Sequence, residues 1–209
     1  MSVSENHSNK HPLILASASP RRHAILRELG VPFEIHLAYC DEICYQNDPV
    51  ATVGINACHK AEDVRKRHPH NPIIAADTVV AFGGRVLGKP HSYEEARDWL
   101  ISYAGQSQTV YTAVAMWMPH EKEPHLRIEA SSLIFRNYDA STAEQYIALV
   151  QPFDRAGAYD INTHGEMLIS RRIGSYSNVM GLPGGLIRDW LKANHLLHNT
   201  PQNTPKKHP

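Results

Sequence analysis

LILASASPRRHAILRELG, residues 13–30, decides how this chain is read. Leu13 to Ala16 is a short apolar run of strand type, and Ser17-Ala-Ser19-Pro20 breaks it with small residues and a proline. A helix follows. Ser19 can cap it, Pro20 suits its first position, Ile25, Leu26 and Leu29 supply an apolar face, and Gly30 with Pro32 stops it. Arg21 and Arg22 then fall in the first helical turn, where the dipole is positive and backbone N–H groups lack partners. Each cation there costs about 0.3–1 kcal/mol, so the turn reads as prepared for an anion. Phosphate fits best, because guanidinium forks bind its oxygens bidentately and the small Ser17 and Ser19 let the backbone approach. A solvated basic turn after an ordinary strand fits the same residues equally well.

Working outward, Phe33 to Ala38 reads as a second strand, and Cys40-Asp41-Glu42 puts two carboxylates in the loop beyond it. Asp48-Pro49 opens a long helix with an apolar stripe of Val50, Val53, Ala57, Ala61 and Val64, and Lys60 lies at the border of that stripe. Ile73 to Phe82 is an apolar strand carrying one carboxylate, Asp77. Aspartate is disfavoured in strands and an unpaired buried charge costs several kcal/mol, on the order of a lost ion pair. Asp77 is therefore expected to face a metal, a cation or a wet cleft; an Asp solvated at a strand end is the plainer alternative. Gly83-Gly84 turns a hairpin into Arg85-Val86-Leu87, and Lys89 follows, held between Gly88 and Pro90.

The second half of the chain continues the alternation. Ser92-x-x-Glu95 and Ser141-x-x-Glu144 each read as a capping box opening a helix, the first ending near Gly105 and the second near Val150. Between them Thr109 to Met118 and Leu126 to Arg136 read as two long strands. Arg155 to Ile161 is expected as a short strand paired with Met167 to Ile173, and Gly174 to Gly184 as a long loop able to fold around a ligand. Leu186 to Leu197 is a terminal helix. The expectation is one α/β domain over residues 12–197, with residues 1–11 and 198–209 as disordered tails.

Composition excludes several classes. Lys+Arg and Asp+Glu number 21 each, so no global charge calls for nucleic acid or a membrane surface, and positive potential must be local. No apolar run approaches the ~18–20 residues of a membrane span, and residues 1–11 carry no apolar signal segment. A cytoplasmic protein is expected. Three cysteines without a CxxC pair suit reduced thiols, and the 14 histidines form no zinc motif.

Taken together, ASASPRR, CDE, HKA, AADTVV, GKP, AGAYDI and SNVMGLP occur in the order and spacing of the Maf family of nucleoside triphosphate pyrophosphatases, and the chain resembles that family from about Leu13 to Trp190. The resemblance implies the two-lobed, elongated mixed sheet flanked by helices that this family shares with inosine triphosphate pyrophosphatases, and a homodimer. It implies that Ser17, Ser19, Arg21, Arg22, Lys60, Asp77, Thr78, Lys89, Asn162 and Asn178 serve the nucleotide cleft. Asp77 corresponds to the proton acceptor, and Glu42 with Asp77 would bind Mg²⁺ or Mn²⁺. Glu42, Lys60, Asp77 and Lys89 are the residues carried over as catalytic. Arg21 and Thr78 are similar to the group acting on dTTP and UTP. Asn162, followed by Thr163-His164, departs from the glutamine and glycine of that group, and Gln108 and Ala113 depart from a usual histidine and glycine. Hydrolysis of a pyrimidine nucleoside triphosphate to monophosphate and pyrophosphate is expected. The alternatives are a nucleotide-binding regulator of septum formation without catalysis, and a family member with shifted base choice such as 7-methyl-GTP.

Overall fold

Strand β3, Ile73–Phe82, is the axis of the molecule. The structure, a computed structural model, describes residues 11–197, so the tails expected at 1–11 and 198–209 lie outside it apart from His11. Strand β1, Leu13–Leu15, pairs parallel with β2, Phe33–Ile35, on one side and with the start of β3 on the other. β3 runs antiparallel to β5, Ser107–Trp117, and to the short β4, Arg85–Leu87, on its opposite edge. β6, His125–Phe135, pairs antiparallel with β5 and with β7, Ile169–Ile173. The seven strands form one mixed sheet, ordered β2-β1-β3-β5-β6-β7 with β4 on β3.

The core follows from the alternation of β3. Ile74 and Ala76 face a cluster with Leu26 of α1, Pro20–Glu28, and Ile187, Trp190 and Leu191 of α6, Gly184–Ala193. Ile73 and Ala75 point the other way, onto Val53, Ala57, Ala61 and Val64 of α2, Pro49–Arg67. Farther along, Val80 joins a third cluster under α3, Tyr93–Tyr103, and α4, Ala140–Val150. Two clusters thus sandwich one end of the sheet, and a third fills the other end.

β1 and β4 share one edge of β3 without meeting. β1 ends opposite Ile74, where the Ala16 N–H donates to the Ile74 carbonyl at 2.8 Å, and β4 reaches back only as far as Val80, which pairs with its last residue, Leu87. Residues 75–79 therefore have no strand beside them on that edge. Asp77 and Thr78 lie at the centre of this break.

Several elements differ from the sequence reading. Val50 is 46% exposed, so the buried face of α2 begins at Val53. Asp139, not Ser141, caps α4: its carboxylate accepts the Thr142 N–H at 3.0 Å, and the Ser141 hydroxyl merely donates to it. Ser19 sits at the cap of α1 without using its hydroxyl there. β2 stops at Ile35, and the loop expected over 174–184 contains a short helix α5, Tyr176–Val179. Residues 155–161 are not a strand. Gly157 and Ala158 adopt left-handed φ of +75° and +62° within tight turns, an arrangement that cannot extend, so β7 pairs with β6 instead.

Leu100, fully buried in the third cluster, measures how far that end supports the whole. Leu100→Ala is expected to cost about 2–5 kcal/mol in denaturant unfolding; a loss below about 1 kcal/mol would show that this end does not unfold with the rest.

Candidate active site

The first turn of α1 is fixed by Ser17. Its Oγ accepts the Ser19 N–H at 3.2 Å and Arg22 Nη1 at 3.2 Å, and its carbonyl lies 2.7 Å from His23 Nε2. Arg22 reaches across the break in the sheet, donating from Nε to the Gly181 carbonyl at 2.7 Å and from Nη2 to Thr78 Oγ1 at 3.0 Å. All its partners are neutral oxygens. Burial pushes its pKa below the ordinary value, opposed by the charges of Asp77 and Glu42. Gly181, at φ +94°, makes the approach possible, because a Cβ there would sit 3.2 Å from Thr78 Oγ1 and 3.3 Å from Arg22 Nε.

On the opposite face of β3, Asp77 is 7% exposed and its Oδ1 lies 2.6 Å from Lys60 Nζ. The same ammonium meets Glu42 Oε1 at 2.6 Å, so one cation joins the two carboxylates. Asn56, one turn before Lys60 on α2, donates to Asp77 Oδ2 at 3.2 Å and exchanges hydrogen bonds with the backbone of Ile43 at 2.8 and 2.9 Å. It thereby ties the Glu42 loop to the strand. The Lys60 hydrogen bond chiefly holds the Glu42 carboxyl below the ordinary carboxylate range, against a smaller opposing effect of burial, and the charges of Lys60, Arg22 and Lys89 add to it. Lys89 itself stays exposed on its loop, which is anchored where the Gly88 carbonyl accepts the Gly157 N–H at 2.9 Å.

A cleft opens beside Arg22, lined by Ser19, Arg21, Thr78, Tyr159, Asp160 and Met180, with apolar side chains between them. Arg21 Nη1 and Arg155 Nε each lie 3.4 Å from Asp160 Oδ2. The structure thus gathers Ser19, Arg21, Arg22 and Thr78 on one side of β3 and Glu42, Lys60 and Asp77 on the other, with Arg22 facing both groups. Two of the expected substrate contacts are engaged by other protein groups. Asn178 is fully buried, with its Nδ2 donating to the Val110 carbonyl at 3.1 Å and Ser131 Oγ at 2.9 Å, so it holds α5 on the sheet rather than facing the cleft. Ser17 is 7% exposed and orients Arg22 instead of lining the cleft. The Asn162 side chain is taken up by the Tyr176 hydroxyl and Met180 Sδ.

Asn56, Arg155 and Asp160 are residues the sequence reading missed. Asn56 stands at i−4 from Lys60 in the predicted helix, which was the available signal; Arg155 and Asp160 lay in a segment read as strand.

Among the described residues no group of three or more His, Cys, Asp or Glu forms a ready metal cage. Glu42 and Asp77 are hard oxygen donors brought together by the Lys60 ammonium, and one or two carboxylates completed by phosphate oxygens is the usual way Mg²⁺ is held.

A sequence profile described as "Maf-like protein" matches residues 12–194. The chain belongs to the Maf-like family. It is 39% identical over 173 residues to a protein of Desulfotalea psychrophila named dTTP/UTP pyrophosphatase, covering 82% of this chain and 89% of that one. A protein of the same name from Halalkalibacterium halodurans is 40% identical over 173 residues, covering 82% and 90%. Among solved structures, the Staphylococcus aureus Ham1 protein superposes with a TM-score of 0.50 at 14% identity, covering 87% of this chain and 98% of that one. The fold of this Maf-like chain is therefore the mixed sheet shared with that protein.

The Lys60 contact can be read through pH. Glu42, held low by it, stabilises the fold above its ordinary titration near pH 4.3 (about), and that contribution is lost as pH falls through the depressed value. Lys60→Met removes the contact and leaves two acids facing each other. Between about pH 5 and pH 3 the wild type is expected to lose unfolding free energy more steeply than Lys60→Met; parallel curves would contradict the assigned ion pair.

Proposed function

We propose that the chain hydrolyses dTTP and UTP between the α- and β-phosphates, releasing the monophosphate and pyrophosphate. The observation that carries this reading is the meeting, at the break beside β3, of a guanidinium bound only to neutral oxygens with a carboxylate pair bridged by one lysine. The relatives named dTTP/UTP pyrophosphatase support the choice of substrate.

Arg22 and the exposed Lys89 would take the phosphate oxygens, Arg22 with its fork already oriented by Gly181 and Thr78. Lys60 bridges Asp77 and Glu42 and holds the two carboxylates beside one ammonium. Asp77, fixed by Lys60 and Asn56, would orient the attacking water and accept its proton. A Mg²⁺ or Mn²⁺ ion held by Glu42 and Asp77 would supply neutralisation of the charge that builds on the phosphates. Most of the acceleration then comes from positioning and fixed charge, as expected for phosphoryl chemistry. A homodimer also belongs to the proposal, supported by the apolar groove where Val50 of α2 and Ile128 of β6 are exposed. No described helix is long and apolar enough to cross a membrane.

A panel of nucleoside triphosphates assayed with Mg²⁺ or Mn²⁺ should yield pyrophosphate, not orthophosphate, with dTTP and UTP turned over fastest. Asp77→Asn should lower kcat about a hundredfold or more while KM changes only a few-fold. Orthophosphate as the first product, or full turnover in Asp77→Asn, would refute the proposal.

A further inference from the structure

The cleft wall across from Arg22 carries an acid that the proposed chemistry does not use. The Asp160 side chain is 9% exposed; Oδ2 faces Arg21 and Arg155, and Oδ1 accepts the Asn162 backbone N–H at 2.9 Å. Its backbone is fixed as well, since the Tyr146 hydroxyl accepts the Asp160 N–H at 2.8 Å and donates to the Asp160 carbonyl at 3.2 Å. A carboxylate pinned this way presents one oxygen to the cleft in a set direction.

Asp160 also divides the cleft by charge. Arg21 and Arg155 share its carboxylate, whereas Arg22 has no acid in hydrogen-bond contact and Lys89 forms no ion pair within 4.0 Å among the described residues. A polyphosphate is drawn toward Arg22 and Lys89, which leaves the uncharged end of a nucleotide to the Arg21–Asp160 wall. That end is otherwise lined by apolar side chains, among them Val80, Val110, Tyr159, Ile161 and Val179. The Tyr159 ring is held edge-on against Phe135, centroids 5.4 Å apart.

We propose that Asp160 is a specificity-determining residue that reads the base edge, an inference that rests on the pyrophosphatase reading above. A guanidinium donor beside a carboxylate acceptor complements a ring carbonyl beside a ring N–H, the lactam edge of uracil and thymine. With the register set by the sugar, the carboxylate meets an N–H at position 3 of thymine and a lone pair at position 3 of cytosine. Asn162, which the resemblance places in the nucleotide cleft, has its amide engaged by Tyr176 and Met180 and contributes its backbone N–H to Asp160 instead.

Asp160→Asn keeps the shape and replaces one acceptor by an N–H₂ donor. The ratio of kcat/KM for dTTP over dCTP is expected to fall at least about tenfold in this variant, and Asp160→Ala to lose dTTP turnover without gaining dCTP. Calorimetric binding of dTMP and dCMP reads the base edge without the reaction. Wild-type protein that binds dTMP over dCMP, with the preference erased in Asp160→Asn, supports the inference even if no triphosphate is hydrolysed, in which case the pyrophosphatase reading alone fails. Equal binding of dTMP and dCMP by the wild type, or an unchanged preference in folded Asp160→Asn, overturns it.

Discussion

One ammonium group determines what this site can be. Lys60 of α2 stands 2.6 Å from Asp77 and 2.6 Å from Glu42, and Asp77 lies on a strand, β3, whose Ile73 and Ala75 on the same face pack as core. Without a partner, a carboxylate at 7% exposure would cost several kcal/mol, roughly the penalty of an uncompensated buried charge. Lys60 supplies that partner, and no strand covers the edge of the sheet beside Asp77. The register of α2 secures the arrangement: Val53, Ala57, Ala61 and Val64 fix the helix against β3 and β5, and Asn56 and Lys60 are thereby turned toward Asp77.

The break itself follows from strand length. β1 has only three residues, because Ser17 and Pro20 turn the chain into α1, and β4 begins too far along β3 to cover the remainder. Two parallel strands thus end beside a helix N-terminus, which is where open α/β sheets place their ligands. Arg22 closes the gap on one face and Lys60 on the other. Asp77 and Thr78 face opposite ways from β3, Asp77 toward Lys60 and Thr78 onto the cleft beside Arg22, with no neighbouring strand at that edge between them.

Much of this was legible in sequence where the signal was local. The breaker and cap residues at 17–20 set Arg21 and Arg22 in the first helical turn, and Asp77 stood out as a lone charge in an apolar strand. The partner of Asp77 was among the three possibilities named, and it proved to be a cation. The segment 155–161 was not legible, because left-handed backbone at Ala158 has no signature in residue type. With that segment misread, Arg155 and Asp160 could not be placed on the cleft. The stretch 174–184 was read as a loop for want of periodicity, whereas the single turn of α5 within it turns Asn178 inward onto Val110 and Ser131.

In the proposed complex the triphosphate lies across the broken edge of β3, between Arg22 and Lys89 on one side and the Asp77–Glu42 pair on the other. The most direct test is a crystal structure with the non-hydrolysable α,β-imido analogue of dUTP. Phosphate oxygens are expected within hydrogen-bond distance of Arg22 and Lys89, with the α-phosphate facing Asp77. Phosphates bound instead at Arg21 and Arg155, with the base toward Asp77, would contradict it.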